Sequence, residues 1–183
     1  MRRETMRLVP NRPASQAAER LFRRLRLRIA RRVPRGMILH IGATAIRGLA
    51  TKGDLDLVVR VSPTDFPAAD RALAALFDRN LGSDRNESFA AFKDDLAAPP
   101  LGVQLVAIGS THDDFHVLKD LVARNPNLRW RLRLLKRRFH GRSMDRYRAA
   151  KGRLLDRALH QAVEQAAKKN LARSETPSRV QTH

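Results

Sequence analysis

The chain has 183 residues, no cysteine and a formal net charge of +19, from 37 Lys and Arg against 18 Asp and Glu. This length suits one domain with its own core, and the absence of cysteine excludes disulfides and thiolate metal sites, so we expect a cytoplasmic protein. No apolar run approaches the roughly 20 residues that cross a bilayer, and residues 1–10 lack the apolar core of a signal peptide, so we expect no membrane partner.

The positive charge is concentrated toward the two ends of the chain. Residues 1–36 carry twelve Lys/Arg and two Glu, and residues 123–173 carry sixteen Lys/Arg and three acidic residues. Residues 37–122, between them, carry eight Lys/Arg and twelve acidic residues. This layout suits a phosphate-rich partner, such as nucleic acid bound by the basic flanks. Solvated helix faces are the alternative interpretation, because net charge informs association and not fold.

The first predicted element is a basic amphipathic helix. Pro10, Pro13 and Ser15 interrupt a short extended segment, and from residue 14 to residue 33 apolar side chains recur at helical spacing among many arginines. Such a helix packs its apolar face on a sheet, and contacts of its arginines with phosphate would be an additional role. Residues 1–5 precede the expected domain, and we predict that they form a flexible N-terminus.

Two strands joined by a loop follow this helix. Residues 37–41 are β-prone and end at Gly42, and residues 54–61 are rich in Val and Leu. Because side chains alternate along a strand, Asp54 and Asp56 point to one side of the sheet. Two carboxylates that face a glycine turn with a nearby lysine, Lys52, are typical of a site for a hard divalent cation and phosphate. The residues themselves therefore predict a phosphate and metal site.

The next elements complete a small sheet. A turn and cap signal at residues 62–65 precedes a helix predicted over residues 66–80, and strands are predicted over 87–94 and 102–108. The order of helix, two strands, helix and two strands suits a mixed sheet with helices packed against it, an α/β or α+β domain.

The remainder of the chain is predicted to be helical. Helices are expected from residue 111, over residues 126–139 and over residues 143–171. Residues 172–183 contain Ser, Thr and Pro without periodicity, and we predict a disordered tail there. The predicted organisation is thus a single domain over residues 6–171, with a helical C-terminal part from about residue 111.

Residues 40–57 resemble the signature of the GrpB family, in the DNA polymerase β-like nucleotidyltransferase superfamily, which reads approximately HIGSTSVPGLxAKPxIDI. Three departures from it matter, with Ala43 replacing serine and Arg47 and Gly53 each replacing proline. Residues 120–126, 134–136 and 147–151 resemble the C-terminal pattern of the family, so that the resemblance spans about residues 6–160. The matching positions of the signature are His40, Ile41, Gly42, Thr44, Gly48, Leu49, Lys52 and Asp56.

The resemblance implies a nucleotidyltransferase-like fold, an NTP, with ATP as the first choice, and Mg²⁺ or Mn²⁺. Asp54 and Asp56 would be the catalytic and metal-binding residues, while His40 and Gln104 would orient the site. The nucleotide would be held by residues of the glycine turn and the loop and by residues of the C-terminal helices, namely Gly42, Ala43, Thr44, Lys52, Lys136, Tyr147 and Lys151.

Two of these positions lack groups that nucleotidyl transfer would use. Ala43 replaces a serine whose hydroxyl would bond a phosphate, and one lost hydrogen bond to a charged group costs roughly 1.5–3 kcal/mol. Gln104 stands near the place where this superfamily commonly has a third carboxylate, and a neutral amide is a weaker ligand. We therefore expect Mg²⁺-dependent nucleotidyl transfer to an unnamed acceptor with weakened activity. The alternative is a non-catalytic nucleotide- or RNA-binding module of the same fold.

Several side chains have plainer alternative roles. Trp130 begins a basic helix, where it would be a core residue rather than a platform for a stacked base. Lys136 and Lys151 have the alternative of surface lysines, and Tyr147 that of a tyrosine at the edge of the core. Four acidic residues in loops are interpreted as caps and turn residues rather than ligands, namely Asp94, Asp95, Asp113 and Asp114.

Overall fold

The computed structural model describes the backbone of residues 5–174 and the side chains of residues 5–168. Residues 1–4 of the predicted flexible N-terminus and residues 175–183 of the predicted tail lie outside the described part. Within it the elements follow each other as α1 (Asn11–Arg32), β1 (Met37–Ile41), β2 (Leu55–Val61), α2 (Phe66–Ala74), β3 (Asp78–Arg79), β4 (Phe89–Asp94), β5 (Leu101–Ala107), α3 (Phe115–Arg124), α4 (Pro126–Phe139) and α5 (Met144–Ser174).

The strands form one mixed sheet in the order β1-β2-β5-β4-β3. Strands β2 and β5 are parallel, and the other neighbours are antiparallel. The predicted α+β architecture is confirmed, with a small mixed sheet, packed helices and a helical C-terminal part. None of the described helices is long and apolar enough to cross a membrane.

One face of the sheet forms the main core. Leu55, Leu57, Val59 and Val61 of β2 have no exposed surface, because α1 and α2 cover this face. The residues that α1 contributes recur every three or four positions, as an apolar stripe requires. These residues are Ala18, Leu21, Leu25 and Ile29.

The opposite face of the sheet is mixed in character. Asp56 of β2 pairs in register with Ile41 of β1 and with Gly102 of β5, and Val58 pairs with Gln104. Paired residues point to the same side of a sheet, so these side chains share one face. The apolar ones join a smaller cluster with Phe89, Ala91 and Val106.

The loop between β1 and β2, residues 42–54, packs on the C-terminal helices. Ile46 and Leu49 of this loop contact buried residues of α3, α4 and α5. The N-terminal segment, residues 5–9, reaches the same region, where Met6 is fully buried against Met144 and Tyr147. The segment also forms isolated bridges from Thr5 to Ser143 and from Val9 to Thr51. The helical part and the loop therefore form one packed unit.

Several predicted boundaries differ from the structure. The helix predicted over residues 66–80 is wrong beyond residue 74, because Asp78 and Arg79 form an edge strand with β4. Sheet pairing here overrides a helical pattern of Ala and Leu. Helix α1 begins three residues before residue 14, since proline is tolerated in a first helical turn. The helix predicted from residue 111 begins at Phe115, and α5 runs to Ser174, three residues past the predicted boundary.

Candidate functional site

Two glycines enclose the side chain of Asp56. Gly42 has a φ of 75°, and a Cβ placed on it would overlap Asp56 Oδ2 and lie 3.0 Å from Asp56 Cβ. On the other side, a Cβ on Gly102 would lie 3.1 Å from Asp56 Oδ1. The turn after β1 requires glycine, because only glycine adopts this φ freely and leaves this space, and a side chain at Gly102 would press on the Asp56 carboxyl.

The two predicted aspartates lie together but differ in environment. Burial, and then the negative charge of Asp54, raises the pKa of Asp56 to about 6, while nearby lysines oppose the shift. Asp54 stands one residue before β2, with 27% of its side chain exposed, and its Oδ2 is 3.1 Å from Lys52 Nζ. A cation bound between the carboxylates would relieve their mutual repulsion.

Lys136 is a buried lysine with only 6% of its surface exposed. Its Nζ donates a hydrogen bond to Ala50 O at 2.6 Å, which ties α4 to the loop between β1 and β2. Burial, and then the positive charge of Lys151, lowers the pKa of Lys136 to about 8, while Asp54 and Asp56 oppose that shift. The alternative interpretation of Lys136 as a surface lysine is therefore wrong.

Tyr147 and Lys151 lie one helical turn apart on α5. Tyr147 is buried with Met6 and Met144, and its ring centroid is 6.0 Å from that of Phe139. Burial, and then the negative charges of the two aspartates, raises the pKa of Tyr147. Lys151 is exposed, and its charge lowers the pKa of Asp56. The structure thus brings α5 within electrostatic range of the carboxylates.

His40 and Thr44 brace the glycine turn. The Thr44 hydroxyl donates to Asp54 O at 3.0 Å, and His40 Nε2 lies 3.0 Å from the same hydroxyl oxygen. His40 Nδ1 lies 3.4 Å from Glu19 Oε2 on α1, and burial lowers the pKa of His40. Thr44 is buried, so its hydroxyl serves the turn and the start of β2.

Gln104 lies beside Asp56 on the same face of the sheet. Its Nε2 is 3.5 Å from the position of a Cβ on Gly102, and its Oε1 is buried with no hydrogen-bond partner in the described part of the chain. A buried amide oxygen without a donor is a site that a bound cation or water would satisfy. Ala43 packs at the edge of the apolar cluster around Ile46.

Together these residues offer oxygen ligands and positive charges. Within residues 5–168, no group of three or more His, Cys, Asp or Glu side chains is placed to hold a metal ion. The available oxygen ligands are the carboxylates of Asp54 and Asp56, and Gln104 lies beside Asp56 with an amide oxygen that is unpaired among the described residues. This set fits Mg²⁺ or Mn²⁺, which take oxygen ligands and leave positions for phosphate and water.

Three of the four acidic residues assigned to loops act in turns and ion pairs, whereas the Asp114 side chain makes no capping hydrogen bond within the described part of the chain. Asp94 Oδ1 accepts hydrogen bonds from the backbone N–H groups of Leu96 and Ala97, and Asp95 pairs with Lys93. Asp113 accepts from the Arg60 guanidinium and from Gly109 N. Asp114 stands at the N-cap position of α3.

The interpretation of Trp130 as a core residue is wrong, because 59% of it is exposed on the outer face of α4. Sequence reasoning also missed two supporting residues. Asn11 holds the loop through Gly48 N at 3.0 Å and Leu49 O at 2.7 Å, and Gly102 makes space for Asp56. A glycine inside a strand signals such a close approach, whereas nothing in the local pattern marks Asn11.

The chain is similar to several known proteins. A UPF0157 protein of Vibrio cholerae is 31% identical over 147 residues, which are 80% of this chain and 78% of the relative. The crystal structure of the conserved protein GrpB from Enterococcus faecalis matches with a TM-score of 0.63 at 16% identity, over 80% of this chain and 94% of that chain. A structure of the Cid1 poly(U) polymerase bound to MgGTP matches with a TM-score of 0.48 at 15% identity, over 70% of this chain and 43% of that chain, which is too weak to carry an inference.

The family assignment rests on most of the chain. The family model described as GrpB protein matches residues 6–161, which include the glycine turn, both aspartates and the helical part that faces them. With the 31% identity to the Vibrio cholerae relative, this match shows that the chain belongs to the GrpB family.

Proposed function

We propose that this protein binds a nucleoside triphosphate together with Mg²⁺ and transfers the nucleotidyl group to an acceptor. The observation that carries the proposal is the position of Asp56, which is enclosed by Gly42 and Gly102 beside Asp54. A buried carboxyl with a raised pKa in a site lined by lysines is typical of a functional site rather than a structural one. Such an arrangement suits a metal ion that carries phosphates.

Each side chain has a role in this proposal. Asp54, Asp56 and the Gln104 amide oxygen would hold Mg²⁺, which supplies positive charge to the phosphate oxygens when bound. The Lys52 ammonium, 3.1 Å from Asp54 Oδ2, would pair with a phosphate oxygen. The turn formed by Gly42, Ala43 and Thr44 presents backbone N–H groups to the same phosphates.

The C-terminal helices would complete the nucleotide site. Lys136 is fixed by Ala50 O and contributes a positive charge at a constant position. Lys151 is exposed on α5 and is able to approach the phosphates from the open side. Tyr147 supports this arrangement from the buried cluster beneath α5, where its hydroxyl lies in the field of the carboxylates.

The first test is calorimetric titration with the four NTPs, with and without Mg²⁺. Asp54→Asn with Asp56→Asn should abolish Mg²⁺-dependent binding and leave the protein folded, since two repelling carboxylates are removed. A matched control, Asp84→Asn with Glu87→Gln, removes the same charge from an exposed loop and should bind as the wild type does. Unchanged nucleotide affinity in the first variant would remove the metal-site assignment.

Two residues bear on the choice between an enzyme and a binding module. Ala43 has no hydroxyl and Gln104 has no charge, so we expect slow transfer in the wild type. Ala43→Ser with Gln104→Asp should raise pyrophosphate release from an NTP about tenfold or more, because each change restores a phosphate or metal ligand. No gain, with Mg²⁺–nucleotide binding retained, would favour the non-catalytic nucleotide-binding module instead.

A further inference from the structure

A cavity that does not include the two aspartates lies where the loop between β1 and β2 meets α4. It has a volume of about 280 Å³ and is lined by Arg47, Pro126, Arg129, Trp130 and Arg133. The four residues from α4 are spaced at i, i+3, i+4 and i+7, so that they form one stripe along the helix. The loop contributes Arg47 opposite this stripe.

The chemistry of this cavity is unusual for a surface that serves only the fold. Trp130 is 59% exposed, although burying an indole would stabilise the protein. No carboxylate of the described residues lies within 4.0 Å of the guanidinium groups of Arg47, Arg129 or Arg133. Residues 121–144 contain eight Lys/Arg and no acidic residue. An uncovered aromatic ring and uncompensated arginines therefore share one cavity.

We propose that this cavity binds single-stranded nucleic acid, with one base stacked on the Trp130 indole and the flanking phosphates on Arg47, Arg129 and Arg133. Stacking platforms within a basic groove are how proteins hold single strands. A duplex keeps its bases inside and would leave the indole uncovered. An acidic peptide would satisfy the arginines but not the ring, so a strand of phosphates and bases matches both features.

The cavity is connected to the carboxylate site through shared contacts. Arg133 Nη2 donates to Gly48 O at 3.2 Å, and Lys136, one turn later on α4, donates to Ala50 O at 2.6 Å. A strand bound in the cavity therefore lies against the loop that leads to Asp54. The binding itself goes beyond the proposed function and does not depend on it. Only the role of the strand as acceptor of the nucleotidyl group rests on that function.

Trp130 provides a direct readout, because it is the single tryptophan of the chain. The full chain is titrated, without Mg²⁺, with a uridine oligonucleotide of about twelve nucleotides. We expect quenching of the indole fluorescence and an affinity that falls steeply with salt. Binding measured by anisotropy of a labelled oligonucleotide should weaken about five- to a hundred-fold in Trp130→Ala, whereas Trp130→Phe should keep most of the affinity.

A pair of matched variants tests the placement of the phosphates. Arg47→Gln with Arg129→Gln should reduce the slope of log affinity against log salt by about 0.7 for each lost phosphate contact. Arg24→Gln with Arg31→Gln removes the same charge from the exposed side of α1 and should leave quenching and slope near those of the wild type. Equal weakening by both pairs would overturn the proposal, because it would show binding by general charge alone.

Two further outcomes decide the proposal. Inorganic polyphosphate has no bases, so equal quenching by polyphosphate and by the oligonucleotide would overturn it, as would the absence of any fluorescence change. Asp54→Asn with Asp56→Asn should bind the oligonucleotide as the wild type does, since those residues do not line the cavity. Failure of the metal site and failure of this cavity are therefore distinguishable.

Discussion

The two faces of β2 place alternate residues of one strand in opposite environments. On one face Leu57 has no exposed surface and is surrounded by apolar side chains of α1 and α2. On the other face Asp56 is surrounded by two glycines, a second carboxylate and lysines, and its pKa is raised to about 6. The first environment stabilises the fold. The second raises the pKa of a carboxyl group above its value in water. The burial of apolar side chains on the core face thus offsets the free energy that a buried carboxylate costs on the site face.

The largest expected effect contrasts these adjacent residues. Leu57→Ala should lower the free energy of unfolding by about 2–5 kcal/mol, because it leaves a cavity in the packed face. Asp56→Asn should not lower it at pH 7, because it removes a buried carboxylate that is near another negative charge. Urea unfolding followed by circular dichroism measures both. A loss in Asp56→Asn as large as that in Leu57→Ala would mean that the carboxylate is structural.

The second prediction is that the free energy of unfolding depends on pH through Asp56, which lies on the site face. Below pH 3.8, the ordinary pKa of this side chain, Asp56 is protonated in both states. Between about pH 4 and pH 6 the folded chain keeps a proton that the unfolded chain has released, so the free energy of unfolding falls as pH rises. Above pH 6 the loss is complete, at about 3 kcal/mol for a shift of about two units.

The variant Asp56→Asn isolates this contribution from those of other titrating groups. The difference in unfolding free energy between wild type and variant should change across pH 4–6 and level off near pH 7, below the pH at which Lys136 titrates. Leu57→Ala serves as the control, since it should lower stability by the same amount at every pH in this range. A difference that does not vary with pH would show that Asp56 has an ordinary pKa.

A third comparison uses two glycines of the same loop. Gly42 and Gly48 both have a φ of 75°, but nothing lies within 4 Å of a Cβ on Gly48. Gly48→Ala should therefore lower the free energy of unfolding by about 1–2 kcal/mol, which is the cost of placing alanine at a left-handed φ. Gly42→Ala should cost about 1–3 kcal/mol more, because its methyl group displaces the Asp56 carboxyl. Thermal unfolding of both variants gives the difference, and equal losses would mean that Asp56 moves aside freely.

The smallest expected effect concerns Gln104. Its Oε1 is buried without a hydrogen-bond partner in the described part of the chain, and such a group costs roughly 1–3 kcal/mol. Gln104→Met keeps the length of the side chain and should raise the free energy of unfolding by about 1 kcal/mol, while it weakens Mg²⁺-dependent nucleotide binding. Destabilisation instead would show that a bound water already satisfies this oxygen.

Much of the fold was predictable because the alternation of side chains along a strand and the spacing of apolar residues along a helix depend on neighbouring residues only. The bounds of β1 and α4 were predicted to the residue, and β2 and β5 to within one. Strand β3 was missed because it is two residues long and depends on pairing with β4. Its residues carry no strand pattern of their own, so only tertiary pairing defines it.

The site was predictable only in part, for a physical reason. Strand alternation and the family signature predicted that Asp54 and Asp56 lie near the glycine turn, because these features lie within twenty consecutive residues, although Asp54 precedes β2. The space that Gly102 provides and the burial of Lys136 arise from contacts between distant parts of the chain. The exposure of Trp130 depends likewise on which neighbours cover α4, and a helical pattern does not contain that information.

The contacts of residues 5–9 join the N-terminal end of the domain to its C-terminal helices. Met6 N donates to Arg142 O at 2.9 Å, Gly141 N donates to Met6 O at 2.7 Å, and Val9 N donates to Thr51 O at 3.0 Å. Residues 6 and 8 therefore depend on partners more than 130 positions later in the sequence, and such distant contacts form late in folding. Until α4 packs against it, the loop between β1 and β2 lacks the lysine that holds Ala50 O. The segment that leads to Asp54 is therefore completed by contacts between distant parts of the chain, and these contacts form after the local helices and hairpins.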